Sequence, residues 1–226
     1  MSTSSPLPFE AMENNGDATK MYFSETANWI VPRTVMVGES PYMASSVKER
    51  MASLCIEGGV TTFVCLQAEV PPQPHDCMDF GGVKDEYEDE VSGTLSYSEV
   101  AKQIDNIDSN LKFVYYGICD FEPARSLQEL DILIEDLANR VANGEVLYIH
   151  CKGGVGRSGL VGACVLGKLY PELSAEGVLE RIQQCCRTRW SDQNECKNIH
   201  SPETEAQSQQ VRDYITLLRE KQQDIN

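Results

Sequence analysis

The segment His150-Cys151-Lys152-Gly153-Gly154-Val155-Gly156-Arg157-Ser158-Gly159 concentrates the chemistry this chain can do: a thiol, a guanidinium and a hydroxyl on a glycine-rich turn. The apolar run Val146-Leu147-Tyr148-Ile149 leads into it, and a run rich in small residues, 160–169, follows it. Strand, Gly-rich turn and helix together form an anion site, because the turn's N–H groups converge and the helix N-terminus adds positive potential. Two phosphate loops share that outline. A Walker A loop needs Gly where Cys151 stands and Lys where Arg157 stands, and both substitutions count against it. In a Cys-x5-Arg loop every position has a use. A thiol beside a helix N-terminus and an arginine is favoured as the thiolate that attacks phosphorus. Arg157 offers a planar fork that takes two phosphate oxygens at once and stabilises the equatorial oxygens of an in-line transition state. Gly153, Gly154 and Gly156 let the backbone of Lys152, Gly153, Gly154, Val155 and Gly156 curl round the anion. Ser158 can donate its hydroxyl to the Cys151 sulfur as it departs, and His150 orients the loop through hydrogen bonds rather than acting as a base.

The segment resembles the signature H-C-x5-R-[ST]-G of the cysteine-based protein tyrosine phosphatases, and the modest chain length resembles their dual-specificity branch. Asn28-Trp29-Ile30-Val31-Pro32 with Val35-Met36-Val37-Gly38 is similar to the N-terminal strands of that branch. Residues 59–66 resemble the entry to its sheet, and Ser201-Pro202-Glu203-Thr204-x-x-Gln207 resembles a motif near its C-terminal helix. The resemblance runs from about Asn28 to Leu218. It implies hydrolysis of phosphotyrosine, and of phosphoserine and phosphothreonine, through a cysteinyl-phosphate intermediate, with neither metal nor cofactor. It also implies a general acid on a separate loop, after the strand that precedes the capped helix. Asp120 stands there, able to lend a proton and then activate water, with Glu122 as the competing carboxylate. Gln207 would place the hydrolytic water, as a glutamine does in some relatives, unless it lies on the helix surface. Lys152 leaves a second substrate class open, since relatives acting on inositol lipids often carry a basic residue at that position.

The elements that must position these groups are legible around them. Residues 1–22 read as a polar tail, and 23–226 as one catalytic domain with folded structure starting at Asn28. Two short β-rich runs split by Pro32 suggest a hairpin at a sheet edge. A helix over 45–57 ends at Gly58-Gly59, and the continuous run 61–66 reads as a strand buried on both faces. Residues 67–95 read as a loop. A short helix over 98–107 and a strand over 111–118 follow, then a helix opened by the capping box Ser126-x-x-Glu129 and ended by Gly144. Further helices are expected over 160–169 and 175–186, and from Ser201 as cap with Pro202 in the first turn. Alternating strands and helices give an α/β fold, a mostly parallel central sheet flanked by helices, of the protein tyrosine phosphatase kind.

Composition sets the partners. Hydrophobic residues are 41% and charged residues 24% of the 226, enough for a packed core, while 19 Lys and Arg against 35 Asp and Glu leave a net charge of −16. That surface should repel nucleic acid and anionic membrane, which are held by clustered Lys and Arg. The expectation is a monomer in the cytosol, or the nucleus, acting on a phosphoprotein, without stable membrane association. The acidic run over 84–90 reads as a solvated loop that could steer basic substrates. Arg187-Thr188-Arg189-Trp190 reads as a surface patch, or a pocket rim binding a second anion. Of nine cysteines, Cys55, Cys65, Cys119 and Cys164 sit in apolar runs as small hydrophobes. Cys185, Cys186 and Cys196 with His200 could be drawn together as a metal or redox group, though the chain has no C-x-x-C pair.

Overall fold

The computed structural model describes residues 20–70, 77–84, 96–105, 107, 110–189 and 198–223. Its strands are β1 (Tyr22–Ser24), β2 (Ala27–Val31), β3 (Val35–Glu39), β4 (Thr62–Gln67), β5 (Met78–Gly82), β6 (Lys112–Ile118) and β7 (Leu147–Cys151). Among the described residues six α-helices flank them: α1 (Val47–Ala52), α2 (Tyr97–Ala101), α3 (Leu127–Ala142), α4 (Arg157–Leu169), α5 (Ala175–Arg187) and α6 (Glu205–Gln223). The sheet order is β1-β2-β3-β7-β4-β6-β5. From β3 onward every pairing is parallel, and only β1 with β2 and β2 with β3 are antiparallel. The mostly parallel α/β reading is therefore correct.

Parallel strands covered on both faces need side chains that tolerate burial everywhere, and β2, β4 and β7 are buried at every position. On one face Phe63, Tyr97, Tyr148 and His150 form an aromatic cluster, with Tyr97 of α2 edge-on to His150 and Tyr148 stacked on it. On the other, α4 is buried from Arg157 to Gly167. A side chain on Gly162 would meet Val37 and Ile30, and one on Gly167 would meet Ile215 of α6, so small residues set how closely this helix packs.

Several boundaries differ from the sequence reading. Folded structure starts before Asn28: Met21 is buried and β1 begins at Tyr22, pairing with β2. The hairpin is consequently not at the edge, because β1 covers β2 while β3 lies against β7. The stretch read as loop contains β5, whose Gly81 and Gly82 both have positive φ and whose backbone approaches Gly117 so closely that no Cβ would fit at Gly82. The acidic run over 85–90 lies outside the described residues. The capping box at Ser126 is half formed: its hydroxyl accepts from the Glu129 N–H, but the Glu129 carboxylate turns to Arg125 and Tyr116. The last helix starts at Glu205, not in the Ser201-Pro202 turn, and the Thr204 hydroxyl accepts from the Gln207 N–H.

Candidate active site

The parallel strands all end at one edge, where ligands of open α/β sheets bind. There β7 ends on Cys151, β4 ends two residues before Glu69, and β6 ends two residues before Asp120. The Gly154 N–H donates to Cys151 Sγ at 3.2 Å, and Ser158 Oγ lies 3.5 Å from that sulfur. Gly154 has φ +72°, and a Cβ there would strike the backbone of Gly38 and Glu39, so the loop is tight against the end of β3. Lys152 is exposed and Cys151 is buried. His150 is fully buried, with Nε2 3.3 Å from Tyr97 Oη; burial lowers its imidazole to about 3, so it is neutral and no base.

Three carbonyls of the loop are held from outside. Lys152 O accepts from Ser40 N–H at 3.0 Å, Gly154 O from Arg189 Nη1 at 2.7 Å, and Val155 O from Ser201 Oγ at 2.8 Å. In a planar trans peptide the carbonyl and the next N–H point opposite ways. Holding these oxygens outward therefore turns the N–H groups of Gly153, Val155 and Gly156 into the loop's concave side. Arg189 corrects the surface-patch reading: it is 3% exposed and also donates to Asn28 Oδ1 and Val37 O. Nothing local marks it, since its partners come from β2, β3 and the loop. Trp190 lies outside the described residues.

Arg157 is 1% exposed and held as a fork. Nη1 and Nη2 donate to the two Glu69 oxygens at 2.6 and 3.0 Å, Nη1 also to Ile118 O at 3.1 Å, and Nη2 meets Asp120 Oδ1 at 2.9 Å. Its buried Nε has no partner among the described residues. Burial is the largest influence on the Glu69 carboxyl and raises it, but the hydrogen bonds and charge of Arg157, with hydrogen bonds from the backbone and Gln67, together hold the group below the usual range. Glu69 escaped the sequence reading; the signal that could have found it is its place just past a buried parallel strand, matching Asp120 past β6. The structure thus brings Cys151, Arg157, Ser158 and Asp120 to one place.

The loop carrying Asp120 is docked on the start of α6. Thr204 Oγ1 donates to Phe121 O at 3.1 Å, Gln207 Nε2 to Glu122 O at 3.1 Å, and Gln210 brackets the Ala124 backbone with two bonds of 2.8 Å. Phe121, with φ +63°, makes the turn directly after Asp120. Gln207 is fully buried, so it is no helix-surface residue, and its Oε1 accepts from the N–H groups of Glu203 and Thr204 at 3.0 and 3.2 Å. Cys65, Cys164, Cys185 and Cys186 are buried, none of them in a disulfide among the described residues; Cys55 and Cys119 are half-buried, and Cys196 lies outside the described residues.

A thiol, an amide-lined loop and a buried arginine at the edge of a parallel sheet define a cysteine-based phosphatase fold, and comparison with known proteins agrees. The family described as Swiss Army Knife protein, DSP-PTPase phosphatase domain (PTP-SAK) matches residues 94–216, more than half of the chain. The chain belongs to that family. It is 38% identical over 72 residues to a protein of Invertebrate iridescent virus 6 named "Putative tyrosine phosphatase 197R", a match covering 29% of this chain and 27% of the viral one. The chain thus spans about a quarter of the curated relative it matches. Among solved structures it resembles Tk-PTP in its active form (21% identity, TM-score 0.55, 84% of this chain and 97% of that one). It also resembles PTPMT1 in complex with PI(5)P (16% identity, TM-score 0.56, 86% and 97%). At those identities the likeness is one of fold. Among the described residues no helix is long and apolar enough to cross a membrane.

Proposed function

We propose that this protein hydrolyses phosphate monoesters on proteins, phosphotyrosine together with phosphoserine and phosphothreonine, through a cysteinyl phosphate on Cys151. The observation that carries this reading is the meeting of Arg157 with Asp120 at 2.9 Å, over a loop whose carbonyls are turned outward. A phosphate dianion would sit in the amide cradle of residues 152–156 and take the free Arg157 Nε. The Cys151 thiolate attacks phosphorus as Asp120 protonates the leaving oxygen; water then displaces the sulfur, with Ser158 supporting the departing thiolate. Glu122 is the weaker acid candidate, because among the described residues the ion pairs of Arg157 go to Glu69 and Asp120, and the Glu122 carbonyl is tied to Gln207. No step calls for a metal or a cofactor.

The test is phosphate release from p-nitrophenyl phosphate in the presence of a chelator, with inhibition by vanadate and loss of turnover on Cys151→Ser. Turnover retained by that variant would overturn the reading. A second reading, a phosphoinositide substrate, is favoured by the exposed Lys152 beside the nucleophile and opposed by the net charge of −16. Rates on phosphotyrosine peptides, phosphothreonine peptides and inositol phosphates, measured side by side, separate the two.

A further inference from the structure

Resolving the cysteinyl phosphate requires a water held in line with the S–P bond, on the side the leaving oxygen has vacated. That is the side of Asp120, and of the residues the start of α6 brings to it. Gln207 is the residue the sequence pattern nominates for this water, yet its amide is spent. Oε1 accepts from two backbone N–H groups, Nε2 donates to Glu122 O, and the side chain is fully buried.

What the Gln207 amide does instead is hold Glu203. With its N–H tied at 3.0 Å, Glu203 directs its carboxylate back toward the loop, where Oε2 lies 3.0 Å from the place a Cβ on Gly156 would occupy; the Gln207 Oε1 and Nε2 atoms lie 3.1 and 3.2 Å from the same point, but both are engaged by backbone. Gly156 is the residue just before Arg157, and any side chain there would crowd both the Glu203 carboxylate and the Gln207 amide. Among the described residues the Glu203 carboxylate has no hydrogen-bond or ion-pair partner. It feels three influences: burial and the Asp120 charge raise its pKa, and the Arg157 charge lowers it. Glu203 is exposed to water, and on its far side, away from Cys151, Arg157 and Asp120, it lines a cleft of about 600 Å³ together with Thr204 and Ser208.

We infer that Glu203 orients the water that hydrolyses the cysteinyl phosphate, a role that rests on the phosphatase reading above. In this step the water oxygen forms a bond to phosphorus and the S–P bond breaks, its electron pair returning to Cys151 Sγ. One water proton passes to the Asp120 carboxylate left after the first step. The other is held in a hydrogen bond by Glu203 Oε2 and stays on the phosphate product. An unpaired acceptor beside Asp120 suits this task, whereas a locked amide does not.

Such a residue acts only after the phosphoenzyme has formed, which gives it a distinctive kinetic signature. With p-nitrophenyl phosphate, Glu203→Ala should lower kcat about tenfold while kcat/KM, set by the first step, stays within about twofold. Rapid mixing should then show a burst approaching one nitrophenolate per active site, with cysteinyl phosphate trapped by acid quench. Glu203→Gln, which keeps an acceptor oxygen, should restore most of kcat. Equal losses of kcat and kcat/KM, or unchanged kinetics in Glu203→Ala, would overturn the assignment. Wild-type protein that neither releases phosphate nor forms a cysteinyl phosphate would overturn the phosphatase reading itself, which separates the two failures.

Discussion

Arg157 shows how much of a site can hang on one buried cation. Its spacing from Cys151 is visible in the chain, but its two acidic partners arrive from other strands and differ in kind. Glu69 is a bidentate brace, while Asp120 meets the guanidinium through one oxygen and is half exposed. Removing Glu69 leaves Arg157 buried with only its Asp120 and Ile118 contacts. Glu69→Ala should therefore cost about 2 kcal/mol of stability, less than a fully enclosed pair because Glu69 is partly open to solvent. It should also weaken vanadate inhibition about tenfold, as the fork loses its fixed plane. Urea denaturation and a vanadate titration measure both. An unchanged inhibition constant would mean that Arg157 is oriented without Glu69.

At the scale of elements, two segments must be held in register: the Cys151 loop and the Asp120 loop. The second is docked on the start of α6 through Gln207 and Gln210 and through Thr204 just before the helix, at a spacing of three residues that keeps them on one side. The first is pinned by its carbonyls to Ser40, Arg189 and Ser201. A lysine at Arg189 cannot meet Asn28, Val37 and Gly154 together, because it lacks the planar fork. Arg189→Lys should lower kcat/KM on an aryl phosphate about tenfold or more, with the far-ultraviolet circular dichroism of the folded protein retained. Wild-type kcat/KM in this variant would show that the loop keeps its shape unaided. These docking contacts were not legible in the sequence, since each joins residues far apart in the chain. Capping signals and apolar periods were legible because they are local; the late start of α6 was missed because Ser201-Pro202 imitates a cap while its hydroxyl serves the loop instead.

Across the whole molecule, stability is coupled to pH through the centre of the sheet. His150 is buried in β7 with its imidazole lowered to about 3, whereas in the unfolded chain it titrates near the ordinary 6.5. Acid thus protonates the unfolded chain first. The stability tied to neutral His150 is complete above pH 6.5 and is lost as pH falls from there toward 3. Between pH 6.5 and 5 the loss is about 2 kcal/mol, at about 1.4 kcal/mol per unit. Denaturation at pH 7 and pH 5 should show that much less pH dependence in His150→Gln than in the wild type; equal dependence would contradict a neutral buried imidazole. The net charge of −16 acts at this scale too, disfavouring diffuse polyanion binding while one enclosed loop still presents N–H groups and a guanidinium.

By itself the sequence determined the Cys151 loop, the Arg157 guanidinium and Ser158 hydroxyl that follow it, a carboxylate just past β6, and a parallel sheet under them. These are set by spacing along a few residues or by the period of apolar side chains, and both are local quantities. Only the tertiary structure decided that β1 guards the sheet edge, that Glu69 braces Arg157, that Arg189 is an inward pin, and that beside Gly156 the Gln207 amide is locked by backbone while the Glu203 carboxylate is not. Each of these depends on which strand ends meet at one edge, and that follows from burying both faces of the sheet at once, a condition on the whole chain.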